Sequence, residues 1–533
     1  MDNRVLLAII LSIGILIFFQ YLYMRLYTPP QGSSSISTEN QSNEKNKPLA
    51  MTNPIIDKDL PNTFTEKIYQ IKTPLYEAKL TNLGVRFKEF KLLNYNQDLQ
   101  KRDPIDLVSA PKEGLPFEIY FSQTPQLALI PFETPLPSES IEVTTNSSLA
   151  FRGSLGPLQV EKVYTFKANS YYLDLEIRIK NLGNHTFKDR LLVRGVFSPF
   201  SKGNGYVFKG PFYYTDHLNE VKIKDSFIEY TGPLKYLGYM DVYFLTALIP
   251  NENSTFKATF RKLSEDTQEF ILWGEEIELS PNTEKSFKFK AYIGPKKSEE
   301  LAKEYPLLSK ALYFGIFDFV AKPLLYLLKF LYAFFHNYGI AIIVVTFIIR
   351  ILFYPLNHLS YKSMKKMQEL QPVFQRLREK YKDDPQTLQK EIMNLYRIHK
   401  INPFSGCLPI LIQIPVFIAF YKVLLMAIEL RHAPFVLWIN DLSAPERLYL
   451  GSFVIPWLGG IPVLTILMGV SMFIQQKLTP TTMDPTQEKI MLILPIFFTV
   501  LFINFPSGLV LYWFVNNILS IAQQLITLKL SKK

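Results

Sequence analysis

The 533-residue sequence predicts a polytopic α-helical membrane protein with six transmembrane helices, joined to a soluble domain built from β-strands. Three observations carry that prediction. Apolar runs long enough to cross a bilayer lie toward both ends of the chain. Between them, apolar and polar residues alternate with a period of two, the mark of half-buried strands. A basic loop separates the second and third apolar runs and orients them all, because basic loops stay cytoplasmic. The formal charge of +11 is spread out and interrupted by these runs, so cytoplasmic loops account for it and no nucleic-acid partner is expected. The single cysteine, Cys407, excludes an internal disulfide framework and a Cys-based zinc site.

Val5 to Met24 (VLLAIILSIGILIFFQYLYM) has roughly the 20 residues that a bilayer core demands. The competing reading is a cleaved signal peptide. The run is longer than a signal core, however, and no small-x-small cleavage site comes after it. Residues 1–27 therefore read as an uncleaved anchor, and residues 28–61, rich in Ser, Asn, Pro and Lys, as a flexible linker.

Residues 62–295 change texture. Tyr171, Leu173, Leu175, Ile177 and Ile179 alternate with Tyr172, Asp174, Glu176, Arg178 and Lys180. Phe287, Phe289, Ala291 and Ile293 alternate in the same way with Ser286, Lys288, Lys290 and Tyr292. Asn-Leu-Gly turns at 82–84 and 181–183 separate such runs. This is a soluble β-rich domain, a large sandwich.

Residues 306–337 connect that domain to a second set of apolar runs. Lys322, Lys329 and His336 recur every seven residues in an apolar stretch, so one helical face is basic and the rest is Leu, Phe and Tyr. A helix of that composition lies in the membrane interface. The core then fills residues 338–533, with apolar segments Gly339–Pro355, Leu408–Ile428, Phe453–Phe473, Ile490–Asn504 and Ser507–Leu528. With the anchor these make six spans.

The loop Leu356–Cys407 holds ten Lys/Arg against five Asp/Glu and is placed in the cytoplasm. Counting from it puts the β-domain outside and both termini inside. Within the loop, Met364, Met367, Leu370, Phe374, Leu377 and Tyr381 recur at three- and four-residue steps. After Asp383-Asp384-Pro385, residues Leu388, Ile392, Leu395 and Ile398 do the same. The pattern predicts a helical hairpin over residues 360–402 with a facing apolar seam. Such a hairpin is either a rigid spacer or a Met-containing surface that handles varied apolar segments.

The segment GIAIIVVTFIIRILFYP carries Arg350 well inside its apolar run. A guanidinium there costs roughly 2.5–3.5 kcal/mol on insertion scales. No Asp or Glu occurs in the apolar cores of the other spans, so an ion pair is not expected. Two readings stay open. Arg350 snorkels to the cytoplasmic surface, or it faces a wet cavity inside the bundle. Gln413, Thr465, Ser471, Thr499, Asn504, Tyr512, Asn516 and Asn517 offer polar walls at membrane depth. Thr346 lies one turn before Arg350, Tyr512 and Asn516 share a face, and so do Trp513 and Asn517. Each alone is ordinary helix–helix glue. Their conjunction with an unpaired arginine favours a hydrophilic pocket.

TFIIRILFYPL, SMKKMQELQP, NPFSGCLPILIQIPVFIAFY, ELRHAPFVLWINDLSAPE, TPTTMDPTQEKIM and FPSGLVLYW resemble the YidC membrane protein insertases of bacterial inner membranes. The stretch TPLYEAKLTNLGVRFKEFKLLNY and the closing AYIGP resemble the periplasmic domain of Gram-negative members, a β-supersandwich. The resemblance implies an insertase and chaperone, not an enzyme and without cofactor or metal, that acts with the Sec translocon or alone. It places Arg350 in a hydrophilic groove open to cytoplasm and lipid but closed to the outside. Thr346, Gln413, Thr499, Tyr512, Trp513, Asn516 and Asn517 then line the groove, and Met364, Met367, Leu370 and Phe374 meet clients on the hairpin. The implied partners are nascent inner-membrane proteins, the Sec translocon, membrane lipids and, transiently, the ribosome. Lys422 and Trp513 depart from the family pattern, and the C-terminus lacks a long basic tail. The rival reading is a secondary transporter or channel with a sugar-binding-like outer domain. The absence of intramembrane carboxylates and of an inverted repeat opposes it.

Overall fold

A computed structural model describes residues 65–99, 102–135, 139–201, 207–224, 227–250, 255–382, 384–399, 408–450, 458–478 and 485–530. The anchor and linker expected over 1–61 lie outside the described residues. The chain divides into two compact units, one ending at Tyr313 and the next beginning at Phe314.

Among the described residues the first unit forms three sheets, one of eight strands and two of five. The two alternating stretches read from the sequence are neighbours in the largest sheet. Tyr172–Asn181 pairs antiparallel with Glu284–Pro295, with Leu175 opposite Phe289 and Ile177 opposite Phe287. Tyr171, Leu173, Leu175, Ile177 and Ile179 are buried as alternation requires. Tyr172 and Tyr292, on the opposite face, are buried too. The segment after the last strand folds back over them: the Tyr172 hydroxyl donates to the carbonyl of Leu301, in the short helix Ser298–Ala302. Phe287 and Phe289 are only half-buried. They line an open cleft with Leu191, Val193, Phe256 and Leu272.

Both Asn-Leu-Gly turns form. Gly84 sits at φ +64, and a Cβ there would lie 2.1 Å from the Ala128 carbonyl oxygen, so only glycine fits. At the second turn, Gly183 N–H donates to the Asn181 side chain, which itself donates to the carbonyls of His185 and Leu279. The core also holds charge. Glu118 bridges Arg86 (3.2 Å) and Arg194 (2.8 Å), and Glu269 bridges Arg194 (2.7 Å) and Arg261 (2.6 Å). Lys162 is wholly buried beside them and donates to the Gly84 carbonyl at 2.6 Å.

The second unit is helical, and its helices are numbered from its start: α1 Asp318–Phe335, α2 Tyr338–Leu352, α3 Tyr354–Glu369, α4 Gln371–Lys380, α5 Pro385–Ile398, α6 Leu408–Met426, α7 Val463–Leu478, α8 Pro485–Phe502 and α9 Ser507–Leu530. Helix α1 covers the stretch that holds Lys322 and Lys329. Its leucines at 324, 325, 328 and 331 are buried, while Phe319, Tyr326, Phe330 and Phe334 are exposed. It ends at His336, which takes the left-handed conformation of a helix C-cap.

The expected spans of this unit coincide with helices to within a few residues, except the one read from Phe453. Residues 453–457 of that span lie outside the described residues, and from Leu458 the chain runs through Gly459, Gly460 and Pro462 as an irregular, bridged turn before the helix begins at Val463. Among the described residues, Ser507–Ile526 is long and apolar enough to cross a bilayer, and α2 with α3, bent by 59°, makes a second candidate. Gln413–Met426, Val463–Leu478 and Leu492–Phe502 are shorter apolar helices.

Candidate functional site

Helix α2 starts where Asn337 accepts a hydrogen bond from Ile340 N–H, an N-cap that satisfies one orphan donor. One face, Ala341, Ile342, Val345, Thr346 and Ile349, is buried against the bundle. Phe347, Ile348, Ile351 and Leu352 are exposed on the other. Arg350 falls between the two and is half-buried. Pro355 cannot continue α2, so the chain bends and restarts as α3. That bend returns Tyr361 to the arginine, whose Nη2 donates to the Tyr361 hydroxyl at 3.4 Å. The buried Nε–H has no acceptor among the described residues. Among the described residues no carboxylate lies within ion-pair range of Arg350.

Tyr512 of α9 approaches from the far wall. Its hydroxyl accepts from the Gln413 side chain of α6, its ring stacks on Phe420 at 4.6 Å, and it lies within electrostatic reach of Arg350. Four helices therefore bring one cation, two phenols and an amide together. Arg350 bonds Tyr361 and Gln413 bonds Tyr512, and neither contact neutralises the charge.

The other expected groove residues divide. Thr346 is on the bundle-facing side, 1% exposed, with its hydroxyl donating back to Ile342 C=O at 2.7 Å. Asn517 donates to Ser471 at 3.0 Å, a link between α9 and α7. Thr499 donates to Pro495 C=O and packs on Gly469, whose lack of a side chain lets α7 and α8 meet. Asn516 is half-buried and its carbonyl accepts from Ser520. Trp513 packs among Phe417 (4.8 Å), Phe502 (5.1 Å) and Phe498 (5.9 Å), an aromatic wedge between α6, α8 and α9. Asn517, Thr499 and Trp513 make contacts between helices, the Thr346 and Asn516 bonds stay within their own helices, and Arg350, Tyr361, Gln413 and Tyr512 form a separate polar cluster. Tyr361 escaped the sequence reading because only the bend after Phe353 brings it back to Arg350.

The hairpin forms as α4 against α5. Phe374 is buried with its ring 5.4 Å from Tyr396, a residue the spacing did not single out, whereas Ile398, expected in the facing seam, is exposed because it lies at the last turn of α5. Met367 and Leu370 are half-buried, Leu370 at the break before α4. The side chain of Met364 lies outside the described residues. Met393 and Ile398 leave apolar surface exposed on α5, and Leu359 does so on α3.

Two family models match the chain. The 60Kd inner membrane protein model covers residues 330–533, and the YidC periplasmic domain model covers residues 68–327. The chain is 38% identical over 547 residues to the membrane protein insertase YidC of Syntrophobacter fumaroxidans, covering 98% of this chain and 99% of that one. It is 39% identical over 552 residues to the membrane protein insertase YidC of Syntrophus aciditrophicus, with the same coverage. A crystal structure of an active YidC insertase with its first transmembrane domain resolved aligns at 22% identity and a TM-score of 0.36, covering 86% of this chain and 94% of that one.

Proposed function

The chain belongs to the YidC family of inner-membrane protein insertases with a periplasmic domain, and from that membership we propose that it inserts and folds inner-membrane proteins through a hydrophilic groove centred on Arg350. The observation that carries the groove is an arginine on an apolar helix with phenol and amide neighbours and no carboxylate partner among the described residues. A structural arginine would be neutralised. This one is left available, which its cost in an apolar setting makes meaningful.

The mechanism breaks no bond. A client's polar, often acidic, flank enters the wet groove and is drawn toward Arg350. Tyr361 and Tyr512 offer hydroxyls to the same flank and lower the cost of burying its backbone. The client's hydrophobic segment slides out into lipid, gaining roughly 25 cal/mol per Å² of apolar surface removed from water. For a segment of about 20 residues the gain is on the order of tens of kcal/mol, so release needs no fuel.

The finer reading has six spans, both termini in the cytoplasm and the β-unit in the periplasm. The Sec translocon, the ribosome and lipids are the further partners in this reading, and the exposed Met393 and Ile398 of the hairpin receive apolar client segments. The test is reconstitution of the purified full-length chain alone in liposomes with a small two-span client. Protease-protected client at a level well above empty liposomes is expected. No protection by a folded, correctly oriented protein would overturn the proposal.

A further inference from the structure

Residues 427–450 connect α6 to α7 as an irregular segment, yet Ile428, Leu430, Ile439 and Leu442 within it are buried. The segment is tied to α1, α2, α7 and α9 and to the chain just past α8. Glu429 pairs with Lys329 of α1 at 3.3 Å. The Phe435 carbonyl accepts from Asn337, the cap of α2, at 3.0 Å. Its ring rests so close on Gly339 that a Cβ there would lie 2.0 Å away. At the start of α9, Ser507 N–H donates to Ala444 C=O, Gly508 N–H to Leu442 C=O, and the Ser507 hydroxyl to Asp441 C=O.

Two adjacent residues, Glu446 and Arg447, stand out. Glu446 is 4% exposed and, among the described residues, has no basic side chain in ion-pair range. One oxygen accepts from the indole N–H of Trp438 at 2.7 Å. The other accepts from Thr465 N–H at 3.3 Å and its hydroxyl at 3.4 Å. Thr465 is in the first turn of α7, where backbone N–H groups lack intrahelical acceptors and the helix dipole is positive. Arg447 turns the other way. It donates to the carbonyls of Leu458 (2.9 Å) and Ile503 (3.0 Å) and to the Asn504 side chain (3.2 Å), just past the end of α8. There the carbonyls are unpaired and the dipole is negative. An acid and a base in sequence therefore meet the positive end of one helix and the negative end of the next.

We propose that Glu446 and Arg447 are positioning residues, a two-headed clamp that holds α7 and α8 together and keeps shut the end of the bundle opposite Arg350. The two ends are distinct: Arg350 is thirteen residues along α2 from Asn337, about 20 Å at the helical rise. The clamp rests on the insertase reading only in taking the Arg350 end as the open one. An insertase with a polar groove needs one sealed end, or it leaks ions while clients pass.

The test measures passive proton leak through full-length protein in liposomes, without any client. Glu446→Gln removes one acceptor and sets an amide donor against a donor. Arg447→Gln breaks the contacts to Ile503 and Asn504. Each is expected to raise leak about tenfold over the wild type, the change that comes from losing one net hydrogen bond of closed-state stability. The double variant is expected to add little, since both open one end. Arg447→Lys keeps the charge and is expected to fall between. Trp438→Phe keeps the ring, loses one donor and serves if Glu446→Gln fails to fold. Variants that fold, with wild-type leak and only a lower melting temperature, would overturn the clamp and leave a simple stabilising contact. Client insertion by the wild type is scored separately, so failure of the insertase reading is distinguishable from failure of the clamp.

Discussion

Replacing Lys162 with methionine is expected to change how the β-unit's stability depends on pH. Lys162 is wholly buried, with its amine 2.6 Å from the Gly84 carbonyl and 5.0 Å from the centre of the Phe132 ring. Burial, aided by nearby Arg86 and opposed by Glu118, pushes its pKa down to about 7. In the unfolded chain a lysine titrates near 10.4. Between about 7 and 10.4 the unfolded chain thus holds a proton the folded one has released, and stability rises with pH at roughly 1.4 kcal/mol per unit. Below about pH 7 both states are protonated and the full penalty stands. Lys162→Met removes that penalty but leaves the Gly84 carbonyl without its donor, a loss of about 1–3 kcal/mol. The variant is therefore expected to match or exceed the wild type at pH 7 and to be the less stable at pH 9.5, the difference shifting by on the order of 3 kcal/mol. Lys296, pushed down to about 8 by its own burial, is present in both proteins and cancels from the comparison. The range stops below pH 10, because Tyr164, Tyr236 and Tyr292 are pushed well above their ordinary value, and at higher pH the unfolded chain ionises first. Urea unfolding of the isolated unit, residues 65–313, at pH 7, 8 and 9.5 measures the effect. Parallel curves for the two proteins would refute it.

Arg350→Ala is expected to impair clients with acidic translocated flanks while Arg350→Lys largely preserves insertion; equal activity of the alanine variant on acidic and neutral clients contradicts electrostatic capture. Tyr512→Phe leaves the Gln413 amide without its acceptor and is expected to slow insertion about tenfold without loss of folded protein, as scored by client protection. Removing residues 62–313 as a block is expected to leave insertion mostly intact, whereas a deletion ending at Ser280 strands Glu284–Pro295 without its partner and is expected to aggregate. Photo-crosslinkers at Tyr361 and Gln413 are expected to capture a stalled nascent membrane protein, and one at Ile348, on the exposed face of α2, is not.

Features were legible in the sequence where the forces that decide them act locally. Period-two alternation over 171–180 and 286–293 reported strands because burial there is decided residue by residue along one extended segment. It misjudged Tyr172 and Tyr292, whose burial depends on a segment more than a hundred residues beyond the first of them. Apolar runs located the helices, but not the start of α7, where two glycines and a proline overrule hydrophobicity. At the site, Arg350, Gln413 and Tyr512 were legible because polar groups in apolar runs are conspicuous. Trp513 and Asn517 were conspicuous for the same reason, and their neighbours, an aromatic cluster for the one and Ser471 for the other, became visible only in the fold. Glu446 passed unnoticed because in sequence it sits among ordinary loop residues, and only the fold buries it.

Two charges of the helical unit, Glu446 and Arg350, make a useful contrast. Glu446 is nearly inaccessible and has each oxygen occupied, one by an indole and one by the start of a helix. Such a group has no bonding capacity left for a client, and its cost is repaid only by holding elements in place. Arg350 is more exposed and, among the described residues, has one weak bond to Tyr361 and a buried Nε–H without an acceptor. A guanidinium offers five N–H donors, and leaving a buried one without an acceptor beside an apolar face destabilises the bundle unless water or a client fills it. The fold therefore sets a satisfied charge at one end of α2 and an unsatisfied one near the other. The first is suited to closing a passage and the second to receiving what passes. Exchanging their degree of satisfaction, by setting an acid against Arg350 with Tyr361→Glu, is expected to stabilise the helical unit while abolishing capture of acidic clients. A variant that is more stable and equally active would show that the open valences of Arg350 are not what the insertase uses.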